Sequence, residues 1–287
     1  MGFAATAACA ALVIVLTAAI ALFIGSKGLA TFFVHGADPL QFFFSTQWWP
    51  DRPLEDGGPL IGALSFIVGS VIISVLAVLV SAPLGVTCAV FMTEISAKWG
   101  LRLLQPTVEL LAGIPSVVYG YIGLSLLVPF IRGNLGGTGF SVLAGFLVLS
   151  VMILPTITSV ATDVLRGLPR EYKEAALALG STRWQAIRLV LLPAGLSGIM
   201  TGVVLGLARA FGEALAVQMV IGNKRELPHS ILDPLITLTS GITMDMGNTV
   251  QGSLWNSALW SMAMVLLAMS FAFILLIRFF TRREALR

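Results

Sequence analysis

Long apolar runs, separated by short polar intervals, set the organisation of the chain. Residues 4–24 are apolar and uncharged throughout, about the length a helix needs to cross hydrocarbon. No Lys or Arg occurs in residues 1–10, so this run predicts a retained spanning helix rather than a cleavable signal. Residues 25–59 are polar and acidic, with Asp38, Asp51, Glu55 and Asp56 against Lys27 and Arg52. They also hold Phe42, Phe43, Phe44, Trp48 and Trp49, which predicts an interfacial loop at headgroup level. Apolar sequence resumes over 60–91, where Pro83 and Gly85 predict a bend or break in a second span. Residues 103–129 predict a third span. Its run Gly113-Ile114-Pro115-Ser116-Val117-Val118-Tyr119-Gly120 predicts an irregular helix, tolerated at membrane depth only against protein or a water-filled cavity. After a glycine-rich turn at 130–139, spans four, five and six are predicted over 140–160, 189–221 and 254–280. The pattern is that of an all-α membrane protein with six transmembrane helices. Residues 1–58 form an N-terminal helix with an external loop, and residues 59–287 form the core.

The interval 171–193 is polar in a different way. Glu171, Tyr172, Lys173, Glu174, Ala175, Ala176, Leu177, Ala178 and Leu179 suit a short helix. Gly180 then supplies a residue that can take left-handed backbone at a helix end. A second helical run starts at Thr182 and passes Pro193 into the fifth span. A short helix outside the bilayer, tied by a glycine turn to a spanning helix, can receive a push from a soluble partner.

Composition agrees with the pattern. The chain has 287 residues, 57% of them hydrophobic and 11% charged, against roughly 25% charged in soluble domains. The net charge of +3 could suggest nucleic acid, but in a membrane protein the placement of cations among the loops matters more than their sum. With the 171–193 interval taken as cytoplasmic, that side receives Lys98 and Arg102, then Arg166, Arg170, Lys173, Arg183 and Arg188, then Arg278, Arg282, Arg283 and Arg287. These eleven stand against five outside: Lys27, Arg52, Arg132, Lys224 and Arg225. Both termini are expected inside. Cys9 and Cys88 lie in apolar runs and read as small core hydrophobes, not as a disulfide or metal site. His35 and His229 read as solvated loop residues. No phosphate-cradling GxxxxGK[ST] loop occurs, so ATP is not expected to bind this chain by that route.

Two charges fall inside the fifth span. Arg209 and Glu213 are four residues apart, which on a continuous helix puts both on one face. A charge at the bilayer centre costs roughly 2.5–3.5 kcal/mol on insertion scales, so such groups pair or line a cavity. Either the pair lines the path of a charged substrate, or it is a neutralised lock between helices. Gly198, Gly202, Gly206 and Ala210 form a small-residue stripe on the same run, suited to close helix packing, with Glu213 expected near it. Glu94 is expected at a solvated boundary. Glu109 lies six residues into the third span, where it can snorkel, cap or serve the path.

Several motifs converge on one family. Glu174-Ala175-Ala176, Gly180 and Leu192-Pro193 resemble the EAA signature of permease subunits of bacterial ABC importers, with Val190 where Ile is usual. Within that group, Gly113–Gly120, Ala208-Arg209-Ala210-Phe211-Gly212-Glu213, the run 214–223 and Ile236-Thr237-Leu238-Thr239-Ser240 resemble the phosphate-specific branch. The run after Glu213 is closer to the PstC type than to its sister PstA. Ala214-Leu215-Ala216-Val217 departs slightly from the Thr-Met-Ala-Val of that type. The resemblance covers about residues 40–280.

The resemblance implies a MetI-like permease fold in the bacterial inner membrane and a non-catalytic subunit with no cofactor of its own. ATP and Mg would belong to a separate ATPase. It further implies a PstA-like second permease forming a heterodimer, two copies of the cytoplasmic ATPase, and an external phosphate-binding protein. Glu171, Glu174, Ala175, Ala176 and Gly180 would form the coupling helix, and Arg209 and Glu213 the phosphate path, with Glu109, Ser116 and Tyr119 as further pore-lining candidates. Two other readings stay open. One is the same fold carrying sulfate, molybdate or phosphonate; the other is a stand-alone channel or ion-driven transporter, against which the single buried charge pair and the docking loop both weigh.

Overall fold

In the computed structural model, residues 2–284 are described; Arg287 of the basic tail lies outside them. Six helices are long and apolar enough to cross a membrane: Thr6–Phe33, Leu64–Ile95, Ser116–Asn134, Val142–Gly167, Arg183–Gly212 and Leu254–Phe279. The chain divides into two compact units, one of Met1–Ser70, Asn223–Leu227 and Leu235–Met269, the other of Val71–Gly222, Pro228–Pro234 and Ser270–Arg287.

In the first unit, helix α1 (Gly2–Phe33) runs nine residues beyond the apolar stretch that predicts it, through Gly25, Ser26 and Lys27. The polar residues do not end it because Gly28 is a packing position. A Cβ there would lie 3.0 Å from the Trp260 carbonyl, and Ser261 donates its hydroxyl to the Gly28 carbonyl at 2.6 Å. Cys9 is exposed on this helix rather than in a core. The expected interfacial loop is instead folded. It holds helix α2 (Pro39–Phe44), N-capped by Asp38, and an antiparallel pair, β1 (Trp48–Trp49) and β2 (Leu60–Ile61), with Trp48 opposite Ile61. Phe42 and Trp48 are fully buried with Phe66, Ile236, Leu259 and Met262, whereas Phe44 and Trp49 stay exposed. The Trp48 indole donates to Asp245 Oδ2 at 3.0 Å, and Arg225 Nη2 reaches both oxygens of the same buried carboxylate at 3.2 Å. His35 is not solitary: its Nε2 meets the Ser257 hydroxyl at 3.1 Å.

The second unit takes in most of helix α3 (Leu64–Val90), which continues through Pro83 without a break. The predicted third span is two pieces. Helix α4 (Gln105–Gly113) ends at the extended pair Ile114 and Pro115, and the span proper starts at Ser116 as α5 (Ser116–Ile122), passes a π-helical turn, and ends as α6 (Val128–Asn134). Glu109 therefore lies before the span, not inside it. Helix α7 (Val142–Gly167) is the most buried of the six spans. It is followed by α8 (Arg170–Ala178), α9 (Arg183–Ala186), a π-helical turn and α10 (Leu192–Gly212).

The glycine stripe packs α10 against α7. Cβ atoms at Gly198, Gly202 and Gly206 would lie 2.6 Å from Val164, 3.0 Å from Val160 and 2.8 Å from Ile157 in turn. The two helices run antiparallel in close register, as a small-residue stripe allows. In the 222–253 region the first unit has α11 (Leu238–Asp245), and the last helix is α12 (Leu254–Glu284).

Candidate functional site

Three groups of residues carry the site, all within the second unit. The first is the short helix α8. Pro169 precedes it, and pyrrolidine geometry suits a helix start. Its C-terminus is closed by two hydrogen bonds: Gly180 N donates to the Leu177 carbonyl at 3.0 Å, and Ser181 N to the Ala176 carbonyl at 3.2 Å. This 6→1 plus 5→2 pairing requires left-handed backbone between them, and Gly180 supplies it at φ +83°. Thr182 then caps α9 through a reciprocal box with Gln185. Of the predicted coupling residues only Ala176 is buried; Glu171, Glu174, Ala175 and Gly180 face solvent. Leu179, at the tip, is 90% exposed.

Lys173 ties α8 to the end of the second span by an ion pair with Glu94. Glu94 is thus not a solvated boundary acid: its side chain is only 11% exposed. Spacing could not reveal this link between residues 79 positions apart.

The second group lies where the end of α10 meets the middle of α7. Arg209, in the last turn of α10, donates Nη1 to Thr156 Oγ1 at 3.2 Å. Thr156 is eleven residues from the Gly167 end of α7, or ~16 Å along a helix ~39 Å long. Tyr119 is buried and donates its hydroxyl to the Leu111 carbonyl at 2.7 Å, bridging the break between α4 and α5. The same carbonyl accepts the Ile114 N–H at 3.3 Å, so Tyr119 adds a second bond to the capped end of α4. Ser116 opens α5, half-buried.

Glu213 departs from the expectation. Helix α10 ends at Gly212, and Glu213 has extended backbone, φ −77° and ψ 123°. The four-residue spacing to Arg209 is therefore not a helical turn, and Glu213 does not continue the glycine stripe. Its Oε1 accepts from Ala216 N at 3.0 Å, fixing the short turn that follows. That turn packs on α5, where a Cβ at Gly120 would lie 2.8 Å from Ala216 Cα. Two interrupted helices thus meet in this neighbourhood, an arrangement that brings backbone ends and polar side chains to membrane depth.

The third group surrounds Glu109, which faces a pocket apart from Arg209. Gln105 Nε2 donates to Glu109 Oε1 at 2.9 Å, and Arg166 Nη2 donates to Gln105 Oε1 at 3.0 Å. Thr156, Gln105 and Arg166 were not singled out by sequence reasoning. The Pro155-Thr156 pair inside an apolar run was the available signal for the first of them. Among the described residues no group of three His, Cys, Asp or Glu gathers as a metal site.

Comparison with known proteins adds four findings. Residues 81–285 match the family described as binding-protein-dependent transport system inner membrane component. A probable ABC transporter permease protein, YqgH of Bacillus subtilis, is 55% identical over 96% of this chain and 89% of its own length. The phosphate transport system permease protein PstC of Mesorhizobium japonicum is 36% identical, covering 98% of this chain and 89% of its own. A structure of the MetNI methionine ABC transporter, in inward-facing conformations, superposes with a TM-score of 0.54 at 21% identity, over 78% of this chain and 93% of that one.

Proposed function

The chain belongs to the family of binding-protein-dependent transport system inner membrane components, and we propose that it is the PstC-type permease of a phosphate importer. It has the ABC permease fold, and it is a non-catalytic membrane subunit of an importer whose ATPase is a separate chain. The phosphate assignment is carried by one observation: a guanidinium held at mid-membrane by a neutral hydroxyl, Arg209 on Thr156. Thr156 takes one of the five N–H donors that Arg possesses. The rest suit the oxygens of a tetrahedral oxyanion, which Arg binds in bidentate fashion. The name of the Mesorhizobium relative supports phosphate as that oxyanion.

In this reading, a PstA-like second permease completes the pore, and two ATPase copies, which carry the ATP and Mg, dock on α8 and its counterpart. An external binding protein delivers phosphate. Both termini lie in the cytoplasm, as the excess of Lys and Arg on the α8 side supports. Glu213 and Tyr119 shape the break around Arg209, so that the ion is met by one cation and several fixed dipoles. Weak holding of this kind lets the ion leave once the path opens inward.

Competition tests the cargo. In membranes carrying the whole complex, excess unlabelled phosphate should suppress labelled phosphate uptake at least ~10-fold more effectively than sulfate, molybdate or phosphonate. Equal or better suppression by one of the others reassigns the cargo while leaving the permease role in place.

A further inference from the structure

Helix α7 carries more polar chemistry than the contact with Arg209 uses. Thr156, Ser159, Asp163 and Arg166 follow at steps of three, four and three residues. At 100° per residue they share a face about 80° wide. Only Thr156, through Arg209, touches α10; the face that packs on its glycines is that of Ile157, Val160 and Val164. The polar face is not a packed core: Thr156 and Ser159 are half-buried, and Asp163 and Arg166 are exposed. Polar groups left open along a spanning helix face water or another protein, not hydrocarbon.

The lower end of the stripe opens into a pocket lined by Gln105, Glu109, Ser159, Thr162, Asp163 and Arg166, among others. Arg166 is fastened across this pocket to an amide oxygen, that of Gln105, and Gln105 is fastened in turn to Glu109. The same Arg166 borders the cleft beneath α8, next to Glu94, Arg170 and Lys173.

We propose that this stripe is the inward half of the anion path, with Arg166 as a second anion station at its mouth, latched by Gln105 and Glu109. The proposal rests on the reading of Arg209 as the mid-membrane anion contact. Ten residues of α7 separate Thr156 from Arg166, ~15 Å. Stations at that spacing hand an ion on without both gripping it, the condition for passage through a multi-site path. Asp163, between them on the same face, keeps a phosphate from settling. At the mouth, a phosphate offers Arg166 two bonds to an anionic acceptor against the single bond to the neutral amide oxygen of Gln105. The arriving ion therefore releases the latch, and because Arg166 also borders the α8 cleft, ATPase docking acts on the same side chain.

The test uses the reconstituted complex with Cys9→Ser and Cys88→Ser in this chain. Single cysteines are placed by Ser159→Cys on the stripe and by Ile14→Cys on the apolar, exposed face of α1. Each is treated from the α8 side, during ATP turnover, with a small sulfonate-bearing methanethiosulfonate and with its neutral analogue. Ser159→Cys should react at least ~10-fold faster than Ile14→Cys, and phosphate should slow it. Adding Arg166→Gln should slow the anionic reagent ~5-fold and leave the neutral one unchanged, while Gln105→Ala, which frees Arg166, should speed the anionic reagent alone. Arg166→Lys should retain most of the anionic preference.

A complex that still takes up phosphate while Ser159→Cys reacts no faster than Ile14→Cys overturns the stripe and leaves the importer reading standing. Rates that Arg166→Gln and Gln105→Ala change equally for both reagents overturn the anion station. Protection by sulfate or molybdate but not phosphate overturns the phosphate assignment and upholds the stripe.

Discussion

At the residue scale, two positions decide most of the account. Arg209 is affordable at membrane depth because Thr156 gives it a fixed acceptor, and because neighbouring helix breaks supply dipoles instead of hydrocarbon. Gly180 acts through backbone alone. A Cβ there would meet nothing within 4 Å, so the demand comes from φ +83° and not from space. Left-handed backbone costs a residue with a Cβ about 1–2 kcal/mol, and Asn less. ATPase retained on the purified complex should therefore fall in the order Gly, Gly180→Asn, Gly180→Ala, Gly180→Val, as measured by co-purification. Equal retention by Gly180→Val would show that the turn does not shape the docking helix. This position was legible in the sequence, since a glycine nine residues after a helix start points to one structural role. Thr156 was not: a Thr among apolar residues looks the same whether it bonds its own helix, as Thr158 does, or a distant guanidinium.

At the element scale, the register between α7 and α10 carries the mid-membrane site. The stripe of Gly198, Gly202 and Gly206 was readable as a close-packing face, and it packs as one. What could not be read was where α10 stops. Ala208-Arg209-Ala210-Phe211-Gly212 keeps helical character, and only the break after Gly212 removes Glu213 from the turn. Gly212 does not take the left-handed form that usually marks a helix end; the break is the extended backbone of Glu213. The aromatic interval misled for another reason: Trp48 is buried by a partner 197 positions away, a pairing that local pattern cannot show. The packing face makes a clear prediction. Gly206→Leu places carbon against Ile157 and should destabilise the solubilised complex by about 1–3 kcal/mol. Gly212→Ala, with nothing within 4 Å, should be close to neutral in the same thermal melt. Equal melting of the two variants would remove the stripe as a packing device.

At the scale of the whole molecule, the claim is one of direction: energy enters at α8 and is felt at Arg209. Alternating polar and apolar runs made six spans legible, and the count of Lys and Arg gave an orientation. In intact cells, an impermeant thiol reagent should label Asn248→Cys and leave Leu179→Cys unlabelled, with the pattern reversed in inverted vesicles. The reverse pattern in cells would invert the whole account. The route from α8 to the site is short and continuous. Lys173 holds α8 to Glu94, and the chain runs from the Gly180 turn through α9 into α10. From Pro193 to Arg209 is sixteen residues, or ~24 Å of helix. If α8 is the docking helix, as proposed, a tilt there would reach the guanidinium through one rod, without a separate relay. The most direct test is ATP-driven uptake of labelled phosphate by the reconstituted complex carrying Arg209→Gln, with ATPase content measured on the same sample. Normal ATPase content with uptake lowered at least ~100-fold is the expected result; uptake at the parent rate would contradict it.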